Sequence, residues 1–479
     1  MRKAWFFLVL LGLTAALVWP LPAAQAAPVT VTNGTQFTDT GGNVVHAHGG
    51  GVLKVGSYYY WFGENRNANG TFRYVSAYRS TDLRTWEFRN HVLTQSSSAE
   101  LNVANIERSK VIYNPSTGQF VMWMHKENGS DYSEARAAVA TSSTVDGNYT
   151  YRGSFRPLGH MSRDITAYVD DNGAGYMISA ARENLDLHIY RLTSDFTGIA
   201  SLVKNFSGNH REAPALFKRN GVYFLLTSGA TGWSPNQQQY ATASALDGTW
   251  SAWTNVGNST TYGSQTTYVL PVQGSQGTSY LYLGDRWAGA TGGPVNDSSY
   301  VWLPLRFQTS TSMSMGWFPQ VSVDTATGEV NGVGSGGYLN LVARHSGKCT
   351  DVSGGSYANG AGILQATCGS GSGQQSQQWW LESAGSGYYR IVTRHSGLCL
   401  DVSSNSTADG ANLLQWPCGT GTNQQWQLQD AGGGYYRVVA RHSGKCLDVA
   451  SSATSDGTRL TQWTCNGGTN QQFQRRTVS

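Results

Sequence analysis

Cysteine is missing from the first 348 residues; all six lie beyond that point, at Cys349, Cys368, Cys399, Cys418, Cys446 and Cys465. The longer N-terminal part must therefore hold together by burial and hydrogen bonding, without cross-links. Charge is also scarce: Asp, Glu, Lys and Arg make up 13% of the chain, with a net charge of +4. There is no basic cluster or stripe, which argues against a nucleic-acid partner. No HExxH or comparable ligand spacing is present, so no catalytic metal is indicated. Beyond the first 26 residues no apolar run is long enough to span a bilayer. What the chain does have is 58 Gly, 16 Trp and 25 Tyr. Aromatics favour strands and Gly serves turns, so this composition suits an all-β exported protein.

The N-terminus reads as a secretory signal over residues 1–26. Met1-Arg2-Lys3 is the positive region, Ala4 to Val18 the apolar run and Ala24-Gln25-Ala26 the cleavage site. The alternative, a membrane anchor, needs a longer apolar run. The mature chain is expected to start at Ala27, outside the cell and free of the membrane.

Two repeat systems follow. In residues 338–479, RHSGKCTDV, RHSGLCLDV and RHSGKCLDV open at Arg344, Arg394 and Arg441, and SQQWW, NQQWQ and NQQFQ stand near the ends. Three copies of this kind argue for one threefold unit, since a single copy cannot bury its own face. Six cysteines allow 15 pairings. Repeat phase selects Cys349–Cys368, Cys399–Cys418 and Cys446–Cys465, each worth roughly 3 kcal/mol under the chain-entropy account. A Gly-rich stretch, 328–337, has the composition of a short linker.

Residues 28–327 carry a fainter repeat. Five segments share a polar pivot, an apolar strand, a turn and an aromatic-rich strand, with pivots His48, Glu107, Asp164, Glu212 and Gln265. The turns carry hairpin signals such as Asp-Asn-Gly and Asn-Gly. Further strand pairs follow most hairpins, giving about four strands per unit. Five such units predict a five-bladed β-propeller; a long β-sandwich, the alternative, would not keep the pivots in phase. In a propeller the five pivots converge at one mouth of the channel. Like charges gathered there push their pKa values apart, which separates acid from base roles.

The C-terminal repeats resemble the ricin-B-type β-trefoil of carbohydrate-binding module family 13. That resemblance implies that Trp379, Trp426 and Phe473 pack the core. It places sugar sites at Asp401, Trp416, Asn423 and Gln424 in repeat two, and at Asp448, Trp463, Asn470 and Gln471 in repeat three. Repeat one keeps Asp351 and Gln377, but Ala366 and Ser376 stand where the aromatic and the Asn belong.

The segments HAHGGG (46–51), WFGEN (61–65), ERSKVIYN (107–114), SRDITAYVDD (162–171), REAPALFK (211–218) and SQTTYV (264–269) resemble glycoside hydrolase family 43, in particular its exo-β-1,3-galactanases. The resemblance implies an inverting, secreted hydrolase that takes galactose from the non-reducing end of the β-1,3-galactan backbone of arabinogalactan. Glu212 would be the general acid and Asp164 would orient it. Gln265 would hold the attacking water, with Glu107 assisting, and Glu64 would bind sugar hydroxyls. His48 occupies the phase where most members carry a basic Asp, and is a rival base or a pocket-shaping contact to substrate. Other readings are an α-L-arabinofuranosidase or β-xylosidase of the same family, and a non-catalytic carbohydrate-binding protein. No cofactor is expected, a structural Ca²⁺ in the channel being the alternative, and the protein is expected to be a monomer with a polysaccharide as its partner.

Overall fold

The computed structural model describes residue 1 and residues 27–334, 337–369 and 372–478. The expected signal segment lies outside the described residues apart from Met1.

Short strands punctuated by Gly and Asn turns pair with their sequence neighbours and form five four-stranded sheets. The inner strands are His48–Val55, Asn105–Asn114, Ile165–Val169, Arg211–Arg219 and Gln265–Gly274. Each packs beside the next, and the fifth packs against the first, so the sheets close into a ring of blades I to V. Between blades lie apolar clusters; Trp123 with Met177 and Tyr190 joins blades II and III, and Leu216 and Leu225 with Ile178 join III and IV.

All four strands of every blade are consecutive in the chain. Closure is therefore not made by a blade shared between the two chain ends. A sixth, three-stranded sheet does it instead: Val29–Thr32 pairs with Gln320–Asp324, which pairs with Glu329–Val333. Beside it, Asn33 donates through Nδ2 to the carbonyls of Trp302 and Phe318 and accepts from the Trp302 amide. Half of the stretch read as a linker is thus strand, because Val330 finds a buried place there.

The C-terminal part is a threefold β-trefoil. Trp379, Trp426 and Phe473, one per repeat, are buried in one core with Leu341, Leu400 and Leu447. The indole N–H groups of Trp379 and Trp426 donate to the carbonyls of Thr350 and Leu400. Three disulfides join Cys349–Cys368, Cys399–Cys418 and Cys446–Cys465.

The two parts are fused rather than strung together. Phe318 stacks within 5.7 Å of Trp380, and Val392, Cys399 and Cys418 belong to the same apolar cluster as blade V. A Cβ on Gly316 would lie 1.9 Å from the Ser396 carbonyl oxygen, so this backbone-to-backbone approach requires glycine. No helix among the described residues is long and apolar enough to cross a membrane.

Candidate active site

A local backbone device aims the pivots. The inner strands of blades I, II, IV and V each lose register with their neighbour directly after the pivot, between His48 and Gly51, Glu107 and Lys110, Glu212 and Ala215, and Thr266 and Tyr268. In three of them the residue after the pivot is left-handed: Gly49 (φ 63°), Arg108 (φ 52°) and Ala213 (φ 52°). Such bulges redirect side chains and are common beside functional sites. Here they break the in-out alternation, so a pivot and its successor can both reach the channel.

The result is a funnel cavity of about 240 Å³ that contains Glu64, Glu107, Asp164, Glu212 and Gln265 on its walls. Arg108 lines it and ties blade II to blades III and V. It donates to Gln265 Oε1 and to the Thr266 carbonyl of blade V, and its Nε is 2.9 Å from Asp164. Beside it Lys110 Nζ donates to the carbonyls of Gly49 and Arg108. Trp233 and Trp287 form an edge-to-face pair at the rim, 5.5 Å apart.

Glu212 is 6% exposed. Its Oε1 accepts from Gln265 Nε2 and its Oε2 from Asn184 Nδ2, both at 2.9 Å. Burial, and then the Asp164 charge, push its carboxyl up to about 8, against the pull of Arg108 and the Gln265 hydrogen bond. The group is consequently protonated at neutral pH, as a general acid must be. Asp164 accepts from the amide of Ala213, the residue after Glu212, at 3.1 Å. It is thereby fixed to the backbone that carries the acid.

Every hydrogen-bonding position of the Gln265 amide is taken. Oε1 accepts from Arg108 and from the Trp287 indole (2.8 Å), while Nε2 donates to Glu212 and Ser228, each at 2.9 Å. Arg and Trp side chains only donate, so the oxygen must face them and the nitrogen must face the acid.

Glu64 and Glu107 share Arg66, whose guanidinium reaches Glu64 Oε2 at 2.6 Å and Glu107 Oε1 at 2.7 Å. They titrate in opposite senses. Burial pushes Glu64 up. Burial also opposes the charge on Glu107, but Arg66, His125 and the Tyr132 hydroxyl hold it well below the usual carboxylate range. His125, between Glu107 (3.2 Å) and Glu127 (2.8 Å), is raised to about 9 despite burial.

His48 stands apart. It is fully buried and does not line the funnel. Its Nδ1 is 3.1 Å from Asp285, and its ring stacks on Tyr300 at 4.9 Å. The structure thus puts it behind the wall, at the seam between blades I and V, where it contacts neither the acid nor the cavity. The bulge at Gly49 turns the backbone so that Glu64, paired opposite His48 on the second strand, faces the funnel in its place.

The pairing register shows what sequence reading missed. Opposite Glu107 stands His125, opposite Glu212 Ser228, and opposite Gln265 Asp285. A second tier of partners thus follows from the hairpins and could have been sought at the same phase. Asn184 had no such signal. It ends a run of three left-handed residues, Arg182, Glu183 and Asn184, a strained turn that holds its amide against the acid.

Glu107, His125 and Asp164 bring ligand-type atoms within 4.8 Å of one another. Arg66, Tyr132, Glu127 and Arg108 are their hydrogen-bond and ion-pair partners.

In the trefoil, Asp401 accepts from Gln424 (2.8 Å) and Asn423 (3.0 Å), and Asp448 accepts from Gln471 (2.8 Å) and Asn470 (2.9 Å). Trp416 and Trp463 are 47% and 44% exposed, open for stacking. In repeat one Asp351 keeps only the Gln377 bond of this set (2.9 Å), since Ser376 replaces the Asn.

Comparison with known proteins agrees with this architecture. Residues 48–287 match Glycosyl hydrolases family 43, and residues 337–473 match the Ricin-type beta-trefoil lectin domain. An exo-β-1,3-galactanase from Clostridium thermocellum is 52% identical, aligns over 94% of this chain and 100% of its own, and superposes with a TM-score of 0.85. An exo-β-1,3-galactanase from Phanerochaete chrysosporium, solved with β-1,3-galactotriose, is 29% identical over 94% of this chain and 93% of its own, with a TM-score of 0.61. A Bifidobacterium bifidum structure is 31% identical over 60% of this chain and 96% of its own, with a TM-score of 0.56. No curated protein matches the chain.

Proposed function

Because the chain belongs to glycosyl hydrolase family 43 and carries a ricin-type trefoil, we propose that it is a secreted, inverting exo-β-1,3-galactanase. The observation that carries this reading is the funnel that gathers Glu64, Glu107, Asp164, Glu212 and Gln265 in one cavity, with the Glu212 carboxyl pushed up by burial and by Asp164. A cavity of about 240 Å³ with the buried Arg108 in its wall accords with taking the end of a chain, which is exo action. Glu212 protonates the leaving oxygen, and the Asp164 charge keeps its proton affinity high. Water attacks from the opposite face of the sugar, and the product anomer is inverted. Gln265 orients that water after one of its four hydrogen-bond partners gives way, its amide oxygen polarised by Arg108 and Trp287. Glu107, held ionised, assists by taking the proton that the water gives up, and Glu64 with Arg66 receives hydroxyls of the terminal galactose. The trefoil keeps the enzyme on its polymer by raising effective concentration. Disulfides in the trefoil accord with action outside the cell.

Incubating the wild type and Glu212→Gln with β-1,3-galactan, xylan and arabinan tests the reading. Galactose release from galactan by the wild type alone is expected, with the inverted anomer appearing first by NMR. Release of xylose or arabinose only, or full activity in the variant, would overturn it.

A further inference from the structure

Of the three trefoil repeats, the second is the one whose disulfide, Cys399–Cys418, lies in the apolar cluster of the propeller. Its sugar site is correspondingly not an isolated surface pocket. Trp416, Asp401, Asn423 and Gln424 form one wall of a cavity of about 640 Å³. The facing wall belongs to the propeller: Gln237 and the segment 255–259, which connects blade IV to blade V. Asn258 of that segment donates to the Cys418 carbonyl at 3.4 Å, pinning one wall to the other.

This cavity is linked to the funnel through shared residues. Trp233 and Trp287 of the funnel rim also line a second cavity, of about 370 Å³, that extends to Arg286. Arg286 in turn lines a third, of about 310 Å³, which ends at Asn258 and Cys418. Those two residues are part of the repeat-two cavity. The walls along the way carry what a sugar chain needs: the exposed Trp233 indole beside the edge of Trp287, then the Arg286 guanidinium, then Trp416 with the amides of Asn423 and Gln424.

We propose that repeat two is the distal end of the substrate path. A polysaccharide whose non-reducing end occupies the funnel leaves over the Trp233–Trp287 rim and past Arg286, and is gripped between Trp416 and the 255–259 segment. Repeat three remains a separate polymer-binding site. This rests on the reading of the funnel as the site for the non-reducing terminus.

The test uses soluble β-1,3-galacto-oligosaccharides of increasing length, with KM measured for the full-length wild type, Trp416→Ala, Ser259→Trp and Trp463→Ala. Ser259 lines the propeller wall of the cavity, and a tryptophan there obstructs the path while every trefoil residue is left unchanged. For the wild type, KM falls once the chain is long enough to reach Trp416. Both Trp416→Ala and Ser259→Trp abolish that fall, raising KM for the longest chains about tenfold, the loss of one aromatic anchor. Trp463→Ala keeps the length dependence and loses adsorption to insoluble polymer. Wild-type turnover with a KM independent of length, or equal losses in Trp416→Ala and Trp463→Ala, would overturn this inference alone. No galactose release from any chain would overturn the functional reading with it.

Discussion

Replacing Glu212 by Gln removes a group that the fold keeps protonated. In the folded protein this carboxyl titrates at about 8, against 4.5 for an ordinary Glu. The folded state therefore holds a proton through a window in which the unfolded chain has released it. Its stabilising contribution is complete below pH 4.5 and is lost progressively as the pH climbs to 8. At about 1.36 kcal/mol per pH unit, this loss is on the order of 5 kcal/mol. An amide at this position does not titrate, so the variant escapes the loss. For a propeller of this length about 1.5 °C accompanies each kcal/mol. The melting temperature of Glu212→Gln relative to wild type should thus rise by about 5–8 °C between about pH 5 and pH 8.5, and then level off. Differential scanning calorimetry at a series of pH values measures this directly. The constant offset of the substitution, including the amide that now meets the donors of Asn184 and Gln265, drops out of the comparison. The same proton sets the alkaline limb of kcat/KM, expected near about pH 8. A melting difference independent of pH, together with a limb near about 5, would refute the reasoning.

Gln265→Ala removes a donor from Glu212 and an acceptor from Arg108 and Trp287; kcat should fall about 10³-fold, and the alkaline limb should move upward because the acid has lost a hydrogen bond that favoured its anion. Gly49→Ala places a Cβ 2.8 Å from Glu64 Oε1 at a φ of +63°; a cost of about 2–3 kcal/mol is expected from strain and crowding, seen as a lower melting temperature together with reduced activity. Replacing Cys399 and Cys418 by Ser should cost about 3 kcal/mol, and because that pair packs against blade V, calorimetry should show the propeller transition falling with the trefoil one.

The ring of pivots was legible because one polar residue stands at a constant phase before five hairpins, and hairpin turns declare themselves in Asn-Gly and Asp-Asn-Gly. The trefoil was legible through its threefold cysteines and Gln-Gln-Trp runs. Arg108 was not. In ERSK strict alternation sends Glu107 inward and Arg108 outward, and the left-handed bulge that defeats this is a choice made by the closed ring, not by local propensity. His48 misled for the same reason: its phase is right, but the bulge at Gly49 hands the funnel to Glu64. Nor did the Gly-rich run 332–337 announce that its first residues are edge strand, since the strand it pairs with is itself paired to Val29–Thr32, at the far N-terminal end of the domain.

That distant pairing has a consequence for how the molecule acquires activity. Strand Val29–Thr32 has no neighbour until residues 320–324 exist. The bonds that cross the same seam, Asp285 to His48 and to the Gly49 amide, join residues from opposite ends of the ring, and Arg108 of blade II reaches across the channel to Gln265 of blade V. Contacts so far apart in sequence form slowly, because loop closure comes before their reward. Hairpins and whole blades can gather early, each from neighbouring residues. The funnel cluster cannot: its members come from every blade, and the seam must shut before the Glu64 and Gln265 sides of the cavity face each other. Turnover should accordingly be the last signal to return on refolding, trailing both secondary structure and tryptophan burial.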